Sequence, residues 1–202
     1  MTPARPYHHG NLREAVLERA AVVLRERGVA GISLRELTAD IGVSHAAPRR
    51  YYPDRQALLD ALAAEGFVRL GARLREAVAA AHGFQEQVRS IADAYVTFAV
   101  SEANLAELMF AHERGEGGAL IDQRATEAFD PLLEVFRQGQ AEGRLPTGAP
   151  ERAGLLFLAT LQGIAGLVSC GVVPAGQVDQ MIDDTVAQHS PRTADGELSG
   201  AS

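Results

Sequence analysis

Apolar residues return at steps of three and four along most of this 202-residue chain, the spacing that places them on one face of an α-helix. Leu12, Val16, Val23 and Leu24 predict a first helix from about Gly10 to Arg27, stopped by Gly28. Leu34, Leu37 and Ile41 share a face of a second, and a short third is expected from about His45 to Tyr51. Asp54 can cap a fourth, whose Leu58, Leu62, Phe67, Leu70, Leu74 and Val78 carry it to about Ala81, about 42 Å at 1.5 Å per residue. Val88, Ile91, Tyr95 and Ala99 mark a fifth helix, and Leu105, Leu108, Met109 and His112 a short sixth. A seventh is expected over about Ala119 to Glu142, kinked or restarted at Asp130–Pro131 because proline cannot donate to the ladder. The pattern predicts an all-α fold of about nine helices: an N-terminal three-helix domain, then a helical bundle.

The segment between Arg152 and Asp179 breaks the amphipathic rule, having no charged residue and being apolar nearly all round. Such a helix is either buried on every side or spans a membrane. Thr160, Gln162, Ser169, four glycines from Gly154 to Gly171 and acidic flanks favour a helix packed inward on its own domain and outward on a partner. The amphipathic ninth helix, with Val178, Met181, Ile182 and Val186 opposite its aspartates, can complete a two-helix dimer face. Two such pairs make a four-helix bundle. Leu158, Leu161, Ala165, Val168, Ile182 and Val186 are the candidate interface residues.

Local signals concentrate in Ser33 to Leu59, SLRELTADIGVSHAAPRRYYPDRQALL. Ser33 and Glu36 form a capping box, and Gly42 can end the helix in a left-handed residue without a Cβ penalty. Val43 can plug the angle to the next helix, which Ser44 can cap. Pro48 costs a helical hydrogen bond if Ser44 is the cap and nothing if His45 is. Two short helices around a glycine turn are a helix-turn-helix, whose second helix lies in a DNA major groove.

The order of cap, apolar residue, Arg–Glu–Leu, Ile–Gly–Val–Ser, aromatic pair, basic residue and Ala–Leu–Leu resembles the tetracycline-repressor-like (TetR/AcrR) family over about residues 8 to 70. YHHGNLR at Tyr7 to Arg13 and SHAAP at Ser44 to Pro48 are similar to one subgroup, whose second half carries a Trp-His-Gly signature. That signature falls near Thr160 to Gly163, where this chain reads TLQG. The resemblance implies a homodimer on a palindromic duplex operator, with Ser44, His45, Ala46, Arg49, Arg50, Tyr51 and Arg55 at the DNA. Arg49, Tyr51 and Arg55 match backbone-contact positions, Arg49 standing where the family usually has tyrosine. His45 and Arg50 are the expected base readers, and Tyr52 an expected core residue. The resemblance also implies a small-molecule effector within the second domain, where Tyr95, Phe98, Met109, Phe110, His112 and Gln162 are the candidate pocket residues. Domains are expected at 9–53 (DNA binding), 54–189 (ligand binding and dimerisation) and 190–202 (a disordered tail).

Charge sharpens this only slightly. Net charge is −7, but ten arginines face eight carboxylates in residues 1–70, and nine face eighteen in the remainder. Local positive surface is what phosphate requires, so an acidic chain can still bind DNA. One cysteine, Cys170, allows no internal disulfide and fits a reducing cytoplasm; no segment has the form of a signal peptide. Gly115 to Gly118 lacks the strand and the Lys-Ser/Thr of a phosphate loop, and Ser169 has Leu167 where a nucleophile elbow needs glycine. No metal spacing and no catalytic constellation emerges, so neither an enzyme nor a cofactor is expected. The competing expectation is a helical small-molecule-binding protein or enzyme whose helix-turn-helix is only structural.

Overall fold

A computed structural model describes residues 12–44, 48–110, 117–145 and 148–189. The described residues form eight α-helices and three short 3-10 turns, with no strand. The helices are α1 (Leu12–Arg27), α2 (Leu34–Ile41), α3 (Arg55–Ala80), α4 (Phe84–Ser101), α5 (Ala103–Phe110), α6 (Gly118–Ala141), α7 (Pro150–Ser169) and α8 (Val178–Gln188). The all-α expectation therefore holds, with eight α-helices among the described residues.

The chain divides into two compact units. One gathers the described residues up to Leu70 with Ser101–Ala128; the other gathers Gly71–Val100 with the described residues from Phe129 onward. The first half of α3 belongs with α1, α2 and α5 because its side chains are used there. Leu58, Leu62 and Phe67 are buried, and Phe67 meets Phe110 of α5 edge-on with ring centroids 5.6 Å apart. Gly66 permits the close approach of α5: a Cβ there would lie 2.6 Å from Met109 Sδ. Burying this apolar surface is the main term holding the helices together.

Within that first unit α1 buries Leu12, Val16, Ala20, Val23 and Leu24, the face its periodicity predicts. It stops where Gly28 turns to φ 65°, a conformation only glycine adopts freely. Helix C-termini leave carbonyls without partners. Asn104 of α5 reaches this end, its Nδ2 donating to Arg25 O at 3.1 Å and to Leu24 O at 3.0 Å, the latter carbonyl also accepting from Gly28 N at 2.9 Å. Glu102 lies 2.5 Å from Arg69 Nη2 and 3.5 Å from Arg25 Nε. Burial opposes its charge, but the two arginines outweigh that and hold the carboxyl below its ordinary value.

The second unit is built on α4, α7 and α8 with the later parts of α3 and α6. Its core includes Leu74, Ile91, Tyr95, Phe136, Phe157, Leu161 and Ile182. Phe136 and Phe157 pack with centroids 5.5 Å apart, and His189 meets Phe157 at 5.1 Å. Helix α6 neither stops nor restarts at Pro131, which lies inside it. Proline removes one ladder bond; burial of Leu132, Val135 and Phe136 in the next turns offsets that loss. Residues 190–202, expected as a tail, lie outside the described residues.

Candidate nucleic-acid interface

The turn between α2 and the aromatic pair is built by its caps. Ser33 has extended backbone angles, and its Oγ accepts from Glu36 N at 3.5 Å. The Glu36 carboxylate is engaged with Arg27 Nη1 at 3.5 Å. Gly42 is left-handed at φ 77°, its N–H reaching Thr38 O at 3.0 Å, while Val43 N–H reaches the same carbonyl at 3.1 Å. This double bond pattern closes the helix end and aims the chain at the next segment. Leu37 is fully buried, and Leu34, Ile41 and Val43 are half-buried around it.

Of the expected DNA contacts, Ser44 is exposed, and His45 and Ala46 lie outside the described residues. The described part of the expected third helix is a single 3-10 turn, Pro48–Arg50. Pro48 is buried, and its carbonyl accepts from the amides of Tyr51 at 2.9 Å and Tyr52 at 2.8 Å. Arg49, Arg50 and Tyr51 are exposed on this turn. Tyr52 points the other way: it is 2 % exposed, and its hydroxyl donates to Arg13 O at 3.3 Å. Burial pushes its pKa up, against a smaller pull from Arg13. Arg55, expected at a phosphate, donates through Nε to Ile32 O at 3.0 Å and through Nη2 to Val29 O at 2.6 Å. It thereby ties the start of α3 to the turn before α2.

The arginines of this unit sort by partner. Arg19 pairs with Asp40, Arg27 with Glu36, and Arg25 and Arg69 with Glu102. Arg35, Arg49 and Arg50 are exposed with no carboxylate partner among the described residues. Arg35, on the first turn of α2, was not among the expected contacts; its freedom from a carboxylate is a tertiary property that sequence spacing does not show.

The candidate pocket residues fall in both units. Tyr95 and Gln162 meet in the second unit, the tyrosine hydroxyl donating to Gln162 Oε1. Burial pushes the Tyr95 phenol far above its ordinary pKa, so it acts as a neutral donor. Phe98 lies in the same unit under the Arg73 guanidinium, 5.3 Å from its ring centroid. Met109 and Phe110 belong to the other unit, packed on Gly66 and Phe67, and His112 lies outside the described residues.

The expected dimer residues lie mostly inside the second unit. Leu161, Ala165, Ile182 and Val186 are buried in the chain's own core, and Leu158 and Val168 are half-buried. A side chain already 1 % exposed, as Leu161 is, has no surface left to offer a partner. On α7 and just after it, the bare large apolar side chains are Leu155 (65 % exposed), Leu156 (58 %), Leu167 (41 %) and Val172 (67 %).

Residues 88–189, half of the chain, match the family model described as Tetracyclin repressor-like, C-terminal domain. The chain belongs to the TetR family. No curated protein matches it. Among solved structures, a protein of unknown function from Rhodococcus sp. RHA1 is 36 % identical with a TM-score of 0.83, over 93 % of this chain and 100 % of that one. A bacterial regulatory protein in the TetR family from Rhodococcus RHA1 shares the fold at 18 % identity and a TM-score of 0.67, over 88 % of this chain and 96 % of that one. AibR, solved with isovaleryl coenzyme A and operator DNA, shares it at 22 % identity and a TM-score of 0.63, over 88 % and 97 %. The TetR family match covers the second half of the chain, so the DNA-reading assignments rest on the helix-turn-helix geometry above.

Proposed function

We propose that this TetR-family chain is a ligand-responsive transcription regulator, a repressor, that binds a palindromic operator as a homodimer in the cytoplasm. The observation that carries the reading is the capped turn after α2, followed by Arg49, Arg50 and Tyr51, all exposed, the two arginines without a carboxylate partner among the described residues. Arginine and tyrosine donate to phosphate oxygens, and arginine can fork onto guanine O6 and N7. Ser44, His45 and Ala46 complete the proposed reading surface. Arg55 contributes by holding the turn, with its remaining donors available to phosphate. No catalytic role is assigned to any residue.

The second copy covers the bare side of α7. This helix is long and apolar enough to cross a membrane. Its other side, however, carries Phe157, Leu161 and Ile164 in the core of the second unit. A core helix with one exposed apolar side is what a self-associating subunit presents. The effector enters the second unit, where Tyr95 and Gln162 are the polar pair that a ligand can engage. It induces by preferring the conformation that does not fit the operator.

Selection of bound duplexes from a random pool tests the reading. A palindrome should emerge, with half-sites about 34–36 Å apart or a multiple of that. Affinity should fall steeply with salt, and Arg49→Ala should flatten the slope of log K against log salt by about one unit. No enriched sequence and no salt dependence would leave the helix-turn-helix as scaffold only.

A further inference from the structure

The first unit contains a cavity of about 290 Å³ between α1, the first half of α3 and α5. Its walls come from two helical faces with the same spacing: Glu14, Leu17, Glu18 and Ala21 on α1, and Leu62, Glu65, Gly66 and Arg69 on α3. Half-buried Leu17 and Ala21, backed by buried Leu62, make the inner surface apolar, while Glu14, Glu18 and Glu65 are exposed around it. One end is closed by Glu102, which already holds both cations of the lining, Arg25 and Arg69. Four carboxylates therefore face two guanidiniums, and Glu14, Glu18 and Glu65 have no cation partner among the described residues. Glu14 and Glu18 are also like charges one turn apart on α1, an arrangement unfavourable to the helix itself.

We propose that this cavity is a binding site for a small organic cation with an apolar body, such as an aryl-alkyl ammonium. The apolar part would replace water against Leu17 and Ala21, and the ammonium would lie among the three carboxylates. An ammonium there relieves the Glu14–Glu18 repulsion, whereas an anion meets a net negative rim. The cavity makes these glutamates more than a solvated face: a flat acidic surface attracts any cation weakly, but a trough with an apolar floor selects one carrying hydrocarbon. This site is distinct from the Tyr95–Gln162 pair and does not depend on the DNA-binding reading.

The test is calorimetric titration of the full-length protein with benzyltrimethylammonium, benzyl alcohol and phenylacetate. The cation should bind saturably with a Kd below about 1 mM, with the alcohol weaker and phenylacetate silent. The triple variant Glu14→Gln, Glu18→Gln, Glu65→Gln changes only exposed, isosteric groups and should weaken the cation about tenfold. Ala21→Leu fills the trough and should abolish binding of cation and alcohol alike. Circular dichroism melts of both variants check that the fold is kept. The proposal is overturned by no saturable binding of the cation, by equal binding of all three probes, or by binding that survives both variants.

Discussion

Leu156→Glu should separate the dimer and leave the fold intact, while Leu161→Ala, on the same helix, should do the reverse. Leu156 is 58 % exposed and Leu161 is 1 % exposed. Fully burying a leucine is worth about 1.5–3 kcal/mol. Covering the exposed part of Leu156 therefore contributes about 1–2 kcal/mol per protomer, and a two-fold interface counts it twice. Losing it raises the dimer Kd roughly 30- to 700-fold. A glutamate facing its symmetry mate adds to the cost by desolvation and repulsion. Leu161→Ala instead opens a cavity beside Phe157 and Ile164 and should cost about 2–5 kcal/mol of stability. Sedimentation equilibrium across a concentration series reads the first effect, and urea unfolding reads the second. An unchanged association constant for Leu156→Glu, at an unchanged urea midpoint, would refute the assignment of this side of α7. A monomeric wild type at all concentrations would remove the dimer altogether.

Two further outcomes follow from the packing at the end of α1. Glu102 has a lowered folded-state pKa, so its contribution is fully present above the ordinary carboxyl value and is lost as the pH falls through the folded value. Glu102→Gln should cost about 1 kcal/mol at neutral pH, a small figure because Arg25 and Arg69 are both substantially exposed, and the gap from wild type should close in acid. Urea titrations at two pH values check this; a gap that widens in acid contradicts it. Asn104→Ala leaves the Leu24 and Arg25 carbonyls without their side-chain donor and should cost about 1–2 kcal/mol. Hydrogen exchange should then quicken in the last turn of α1; unchanged protection there would mean that water replaces Asn104 at no cost.

The features legible in the sequence are those that depend on neighbours along the chain. Ser33, Gly42 and Tyr52 act through residues a few positions away or through burial of a large ring, and each behaves as its local pattern predicts. Pro48 shows the boundary of such reasoning. The expected helix from His45 to Tyr51 resolves, over its described residues, into one 3-10 turn organised by the Pro48 carbonyl, because the tyrosine amides find that acceptor first. Arg55 shows a different limit. Its position predicts a phosphate contact, yet two of its donors are taken by the Val29 and Ile32 carbonyls, partners that only the fold brings near.

Helix α7 carries the largest lesson, because hydropathy alone cannot orient a helix that lacks a polar stripe. Leu155, Leu156, Phe157 and Leu158 are equally apolar in sequence, but they occupy three environments: two exposed, one buried, one half-buried. Shape decides among them. The Phe157 ring fits between Phe136 and His189, and fixing that one side chain sets the rotation of the whole helix. Leu161 and Ile164, four and seven positions on, must then follow it inward, and Leu155, Leu156 and Leu167 must turn outward. The proposed dimer face is therefore a consequence of one aromatic contact in the core. Phe157→Leu, by loosening that contact, should weaken association and stability together, whereas Leu156→Glu should separate them.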